Sequence, residues 1–249
     1  YRDFIVAGMM TGAAQYTGVA ARTLPLALLL VLLGWARKDP HRWRARWKGI
    51  LVAGGAALLI YAPLINAFLT HPHWFNRRLQ TAAPPSDLLS NLGRTLAGWL
   101  CMGEVALHSL PGRPIYDPAM VALLLIGAVV ASVRILQPSY NVWLAWFLGV
   151  LPGGFLSQPT PMFYRVTPAV PATAALCAIG GWRTWRFVTG IPGVSPSHLR
   201  RAALALLLVI FGTSVWATYR DYFVRWANLS LIHISEPTRP LYISYAVFC

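Results

Sequence analysis

Seven apolar stretches run through this chain and restrict the folds that it can adopt. They cover residues 4–21, 23–36, 49–69, 118–136, 141–157, 168–182 and 202–219. An α-helix of about 20 apolar residues crosses a hydrocarbon core of about 30 Å. The pattern therefore predicts an all-α, polytopic integral membrane protein with about seven transmembrane helices.

The composition supports the same interpretation. Hydrophobic residues make up 57% of the chain and charged residues only 11%, whereas soluble domains carry about a quarter charged residues. The formal net charge is +14, which in a soluble protein would point to nucleic acid. Here the charges lie between apolar stretches, so we expect membrane lipids as partners and no nucleic acid.

The distribution of basic residues predicts the orientation. Segment 37–48 carries six Arg or Lys residues against a single Asp, and basic loops accumulate on the cytoplasmic side. Counting spans from there also places segment 183–201 in the cytoplasm. Loops 70–117 and 158–167 are then extracytoplasmic, and one orientation satisfies every loop.

The long outer loop contains a predicted amphipathic helix over residues 86–100. Six apolar residues recur at helical spacing, with Asn91, Arg94 and Thr95 opposite them. The apolar set is Leu88, Leu89, Leu92, Leu96, Trp99 and Leu100. Two interpretations stay open: a helix lying along the outer membrane surface, and a helix packed only against other parts of the protein.

Arginines near the outer interface are the first candidates for a binding site. A guanidinium group is planar and permanently charged, and it matches the oxygens of a phosphate or pyrophosphate. Arg165 is the only charged residue of its loop, and Arg22 lies at the outer turn between the first two stretches. Arg113, within LPGRP, is equally well explained as a residue that holds a turn.

Four further polar residues are candidates for a substrate pocket. His71 and His73 are spaced as i, i+2, which is not diagnostic of a metal ligand pair. Glu104 and His108 would share a helical face at i, i+4, for acid–base chemistry or for a structural hydrogen bond. No phosphate-binding glycine loop, HExxH or paired CxxC occurs in the sequence. We therefore expect no cofactor and no metal site.

The last 21 residues, LSLIHISEPTRPLYISYAVFC, differ in composition from the rest of the chain. In one reading frame they correspond to the translated ends of a sequencing-library adapter. We therefore interpret 229–249 as a non-native read-through tail and 1–228 as the membrane domain. Because the chain also opens without a methionine, we expect this domain to be a fragment.

Four motifs in order resemble a known family. They are GMMTGAAQYTGVAARTLPL (8–26), NLGRTL (91–96), GEVALHSLPGRPIYDP (103–118) and RVTPAVP (165–171). The chain resembles, over roughly 1–220, the rear part of a bacterial polytopic glycosyltransferase of the GT-C class. This class includes the protein mannosyltransferases and aminoarabinose transferases. The family pattern has a basic residue where Leu107 stands here, so the match at this loop is imperfect.

The resemblance implies an enzyme of the bacterial cytoplasmic membrane. It would transfer a sugar from a polyprenyl-phosphate donor to an acceptor on the extracytoplasmic face. The family's catalytic acid lies in the first outer loop, upstream of this fragment, so no catalytic residue is assigned. Arg165 and Arg22 are the expected ligands of the donor phosphate. The alternatives are a lipid or solute transporter, which usually carries charges at mid-membrane, and a non-catalytic membrane subunit.

Overall fold

A computed structural model describes residues 1–17, 19–73, 83–103, 110, 112–156, 158–190 and 196–228. Every secondary-structure element within these ranges is helical, which confirms the all-α fold class for this part of the chain. Glu104, His108 and the tail 229–249 lie outside the described residues.

The described residues form eight α-helices. The helices are α1 (Arg2–Ala14), α2 (Leu24–Lys38), α3 (Pro40–Thr70), α4 (Leu88–Leu100), α5 (Pro118–Val133), α6 (Pro138–Phe155), α7 (Val170–Thr189) and α8 (Pro196–Tyr219). The 3₁₀ turns are Val19–Thr23, Pro85–Asp87, Phe163–Arg165 and Thr167–Ala169, and a π-helix, Arg220–Trp226, continues α8.

Several boundaries differ from the prediction, and two helices extend into the predicted loop 183–201, since α7 ends at Thr189 and α8 begins at Pro196. The first apolar stretch is not one helix, because α1 ends at Ala14 and a 3₁₀ turn begins at Val19. The basic segment 37–48 is not an open loop, because only Asp39 interrupts the helices there. The Asp39 carboxylate accepts a hydrogen bond from the Arg42 backbone N–H at 3.0 Å, and Pro40 occupies the first helical position. Both features start a helix.

Two helices are long and apolar enough to cross a membrane: α3, and the continuous helix Ser197–Trp226. Helices α5 and α6 qualify only when taken together, and a bend of 119° separates them. The described residues thus contain two spans by length and composition, or three if the bent pair counts as one. The remaining predicted spans are shorter or less apolar helices.

Small residues bring helices α1 and α3 into close contact. Gly8 and Gly12 form a GxxxG pair on α1, and they face the backbone of α3 at Ala53 and Ala57. A Cβ atom on Gly12 would come within 2.5 Å of the Ala57 carbonyl oxygen. Such small-residue seams allow helix backbones to approach when the surrounding medium is lipid.

The same device joins α5 to α7 and α2 to α6. Gly127 of α5 faces the Leu176 carbonyl of α7, and Gly180 of α7 faces the Leu123 carbonyl of α5. Gly149 of α6 lies against the backbone of Ala27 in α2.

Contacts at two levels of each pair give the helix directions. Gly8 meets Ala53 and Gly12 meets Ala57, so α1 runs parallel to α3. Tyr116 meets Thr173 and Met120 meets Cys177, so α5 runs parallel to α7. Ala27 meets Gly149 and Gly34 meets Asn141, so α2 runs antiparallel to α6.

Helix α4 lies within the segment 86–100, and its buried side carries polar residues. Asn91, Thr95 and Trp99 are buried, at 3%, 3% and 2% exposure, and α4 packs mainly on α6. Leu89 is 81% exposed, and Leu96 also lies on the open side. Asn91 and Thr95 thus point into the protein together with Trp99, whereas Leu89 and Leu96 point out.

Candidate functional site

A cavity of about 380 Å³ lies where the two predicted outer loops meet the end of α8. Its walls come from three parts of the chain: the segment before α5, the turns before α7, and the last turns of the C-terminal helix. The lining residues are Trp99, Leu110, Arg113, Pro114, Ile115, Phe163, Tyr164, Val166, Thr167, Val170, Thr218 and Tyr222. Most of this wall is apolar, with hydroxyl groups and one guanidinium among the lining groups.

Backbone contacts hold the LPGRP segment against α4. The Ile115 N–H donates to the Gly98 carbonyl at 3.2 Å, and the Arg113 N–H donates to Leu110 at 3.2 Å. Gly112 closes this turn with a φ of 79°, a conformation that glycine adopts without steric cost. The turn therefore fixes where the Arg113 side chain starts.

Trp99 forms the floor of the cavity. Its ring lies 5.8 Å from Tyr116 and 5.6 Å from Phe147, centroid to centroid. The indole N–H is buried and has no hydrogen-bond partner among the described residues. A buried unpaired donor costs free energy, so the indole is held here by packing alone.

Arg165 is buried at 8% exposure, at the end of the 3₁₀ turn beside the cavity. Its Nε donates to the Tyr164 hydroxyl at 3.0 Å, and one terminal nitrogen donates to the Gln158 carbonyl at 3.4 Å. None of the ion pairs among the described residues includes Arg165. Its positive charge is therefore held by neutral oxygen acceptors, and Tyr164 links it to the cavity wall.

Arg22 lies on the neighbouring 3₁₀ turn, which contacts the Arg165 turn. Gly153 marks the contact, because a Cβ there would lie 3.0 Å from the Arg165 carbonyl oxygen and 3.4 Å from the Thr23 methyl. The Arg22 guanidinium lies over the Phe68 ring at 5.1 Å. Its buried Nε has no hydrogen-bond partner among the described residues. The two predicted phosphate ligands thus come from adjoining turns.

Arg113 reaches from the LPGRP turn to the C-terminal helix. One terminal nitrogen donates to the Thr218 hydroxyl at 2.9 Å, and its Nε lies 3.3 Å from a carboxylate oxygen of Asp221. The Asp221 side chain is 11% exposed. Arg113 therefore both lines the cavity and fastens the LPGRP segment to the π-helix.

Tyr116 connects this region to α7. Its hydroxyl shares a short hydrogen bond with the Thr173 hydroxyl. Burial raises the pKa of Tyr116 above its ordinary value of 10.0, and the hydrogen bond to Thr173 opposes that shift. The phenol is therefore neutral at physiological pH and acts as a hydrogen-bonding group.

His71 and His73 are exposed at the end of α3. Their rings lie 5.8 Å apart at an angle of 78°, and the His71 Nδ1 is 2.9 Å from the Thr70 hydroxyl. Neither histidine lines the cavity. No group of three or more potential metal ligands occurs within the described ranges. The predicted pair Glu104 and His108 falls outside the described residues.

The sequence analysis did not single out the π-helix. Asp221, Thr218 and Tyr222 contribute to the cavity or to its ion pairs. One signal was present: Asp221 and Arg225 are spaced as i, i+4, a spacing that forms ion pairs on helices. A π-helix often marks a functional position, but the sequence does not predict its occurrence.

No protein-family model, curated protein or solved structure matches this chain. The arguments for its function therefore come from the cavity and its surroundings.

Proposed function

We propose that the chain is part of a membrane glycosyltransferase of the GT-C class. It binds a polyprenyl-phosphate-linked sugar in the cavity between the LPGRP segment, the turns before α7 and the end of α8. The observation that carries this proposal is an apolar cavity lined by Arg113, with the buried Arg165 bonded to the lining residue Tyr164. A lipid-linked phosphate has the same two chemical parts.

The chemistry assigns different roles to the two parts of the site. The apolar wall accommodates the first isoprene units of the donor. Arg165, with Arg22 on the adjoining turn, stabilises the negative charge that develops on the phosphate as the glycosidic bond breaks. Deprotonation of an acceptor hydroxyl requires a base such as a carboxylate, which the family resemblance assigns to a loop upstream of residue 1.

The helix directions support the membrane topology of this proposal. In a chain that crosses the bilayer at every predicted stretch, α1 and α3 run the same way, α5 and α7 run the same way, and α2 opposes α6. The observed packing has these directions. The cavity then lies at the extracytoplasmic face, and the basic segments 37–48 and 183–201 lie in the cytoplasm.

Helix α4 fits the same arrangement. Its polar edge, with Asn91 and Thr95, faces protein, and Leu89 is 81% exposed. The Asn91 amide donates to the Phe155 carbonyl at 3.5 Å, so the inward face offers acceptors. An outward leucine face is favoured where the surrounding medium is the acyl layer of an interface.

The test of this proposal measures sugar transfer by the product of the uninterrupted gene, reconstituted with a polyprenyl-phosphate-sugar donor. We expect Arg165→Ala to lower kcat/KM at least tenfold, the size of one lost charge-assisted hydrogen bond. Arg165→Lys retains the charge but loses the planar fork, so it should fall in between. The matched control is Arg134→Ala, since Arg134 is an exposed arginine that donates to the Tyr140 hydroxyl, away from the cavity.

Two results would contradict the proposal. Equal turnover of wild type and Arg165→Ala would remove Arg165 from the site. Movement of the lipid across vesicles without any sugar transfer would favour the transporter alternative.

A further inference from the structure

Three guanidinium groups surround one carboxylate at the edge of the cavity. The Asp221 carboxylate lies 3.3 Å from Arg113 Nε, 3.2 Å from an Arg225 terminal nitrogen and 3.7 Å from Arg220 Nε. The distances show that the Asp221 carboxylate forms ion pairs with all three arginines at once. One negative charge therefore faces three positive charges.

The surplus positive charge is only partly exposed to solvent. The side-chain exposures are 26% for Arg113, 38% for Arg220 and 56% for Arg225, against 11% for Asp221. The Arg220 Nε is buried and makes no hydrogen bond to any described residue. Partly desolvated like charges repel more strongly than they do in water, so the cluster favours a further anion.

No second carboxylate among the described residues compensates this charge. Asp117 is the other acidic residue near the end of the C-terminal helix, and both of its oxygens are engaged. One oxygen accepts from the Met120 backbone N–H at 3.0 Å, and the other accepts a short hydrogen bond from the Ser214 hydroxyl. Asp117 therefore caps α5 and fastens it to α8.

The neighbouring groups suit a phosphate. Thr218 and Tyr222 line the cavity on the same helix that carries Asp221 and Arg225, and their hydroxyl groups can donate to anionic oxygens. Arg113 lines the same cavity, and its guanidinium is the group shared between the cavity and Asp221. An oxyanion that enters the cavity thus meets the cluster at Arg113.

We propose that Arg113, Arg220 and Arg225 form an anion site for a phosphate or pyrophosphate group, with Asp221 as a built-in competitor. In the unliganded protein the Asp221 carboxylate is paired with the three guanidinium groups. A phosphate at the cavity edge shares or displaces it. The identity of the lipid that carries the phosphate rests on the proposed function. The anion site itself does not, because it needs no sugar transfer.

If Asp221 competes with phosphate, substitutions of Asp221 and of Arg225 should change phosphate affinity in opposite directions. Arg225→Gln removes one cation and should weaken phosphate binding about tenfold. Asp221→Asn removes the competing anion and should strengthen binding severalfold, even though it removes a buried ion-pair partner. A cluster with a purely structural role would give unchanged or weaker binding in both variants. Because Arg225 is more than half exposed, its substitution is not expected to prevent folding.

The experiment uses the full 249-residue chain in lipid nanodiscs and measures Kd by native mass spectrometry and by quenching of tryptophan fluorescence. The probes are polyprenyl phosphate, phosphatidylglycerol and inorganic phosphate, each added separately. Arg42→Gln is the matched control, because Arg42 also pairs with a carboxylate, Asp39, at 3.0 Å and lies far along the chain from the cluster. The control should bind every probe like wild type.

The probes separate the two proposals. Binding of inorganic phosphate that depends on Arg225, without binding of polyprenyl phosphate, would support the anion site and contradict the lipid-linked donor. Binding of polyprenyl phosphate that ignores both Arg225→Gln and Asp221→Asn would support the donor and overturn the anion site. Weaker binding in Asp221→Asn would overturn the competitor role. Binding of none of the probes would overturn both proposals.

Discussion

Gly127 of α5 and Gly180 of α7 bring two helix backbones into direct contact. A Cβ atom on Gly180 would lie 3.0 Å from the Gly127 backbone nitrogen and closer still to the Leu123 carbonyl oxygen. The atoms that it would meet belong to the helix backbone, which cannot move aside as a side chain can. This seam positions the start of α7, and with it the Arg165 turn beside the cavity.

We predict that Gly180→Ala destabilises the protein by about 1–3 kcal/mol through overpacking. The adjacent residue provides the control, since a Cβ on Gly181 meets nothing within 4 Å. Gly181→Ala should be neutral or stabilising by up to about 1 kcal/mol, because alanine favours the helix. Thermal unfolding of both variants in detergent checks the prediction, and equal midpoints would contradict it.

A second prediction concerns the link between the LPGRP segment and the π-helix. Arg113→Gln and Asp221→Asn should each lower stability, and the double variant should lose less than the sum. We expect a coupling of about 1 kcal/mol or more, because both side chains are largely buried and in contact. A double-mutant cycle of unfolding midpoints measures it. Strict additivity would show that the ion pair does not fasten the two segments.

The outward face of α4 gives a third prediction. A fluorophore attached at Leu89→Cys should be quenched by nitroxide-labelled lipids more strongly than one at Arg94→Cys. Leu89 is 81% exposed on the leucine side of the helix, whereas Arg94 lies toward the polar edge. The background carries Cys101→Ser and Cys249→Ser, with Cys177 left in place because it is buried. Equal quenching at both positions would contradict a membrane-facing leucine side.

Cysteine accessibility provides a fourth prediction, on sidedness. Cys101 is exposed at the end of α4, in the loop predicted to be extracytoplasmic. In the Cys249→Ser variant, a membrane-impermeant maleimide should label Cys101 in intact cells, and Cys101→Ser should abolish that signal. Adding Arg42→Cys to the double serine background should give labelling only after permeabilisation. Labelling of both positions in intact cells would contradict the proposed orientation.

The positions of the helices followed closely from hydrophobic patterning. Helices α2, α4, α5 and α6 match predicted segments to within a few residues, because an apolar run in lipid satisfies its backbone as a helix. The two clearest departures have local causes. Asp39 and Pro40 start a helix inside the basic segment, and the first stretch breaks after Ala14.

For the candidate site residues, the sequence predicts less than it does for the helices. Arg165 was chosen as the only charge of its loop and Arg22 for its position between the first two apolar stretches. The fold placed them on adjoining turns. Asp221 was overlooked because its partner Arg113 is distant in sequence. Asn91 and Thr95 were predicted only to lie opposite the leucines, and the fold buries them. Periodicity identifies two faces of a helix, but it does not state which one meets protein when the surrounding medium is apolar.

The sequence by itself determined the helical class and the order of the helices, since these depend on local hydrophobicity. Only the tertiary structure decided which loops meet around the cavity and which arginines share a carboxylate. The physical reason is that glycine seams such as Gly127 against Gly180 set the distances between helix axes, and those distances depend on residues far apart in the chain.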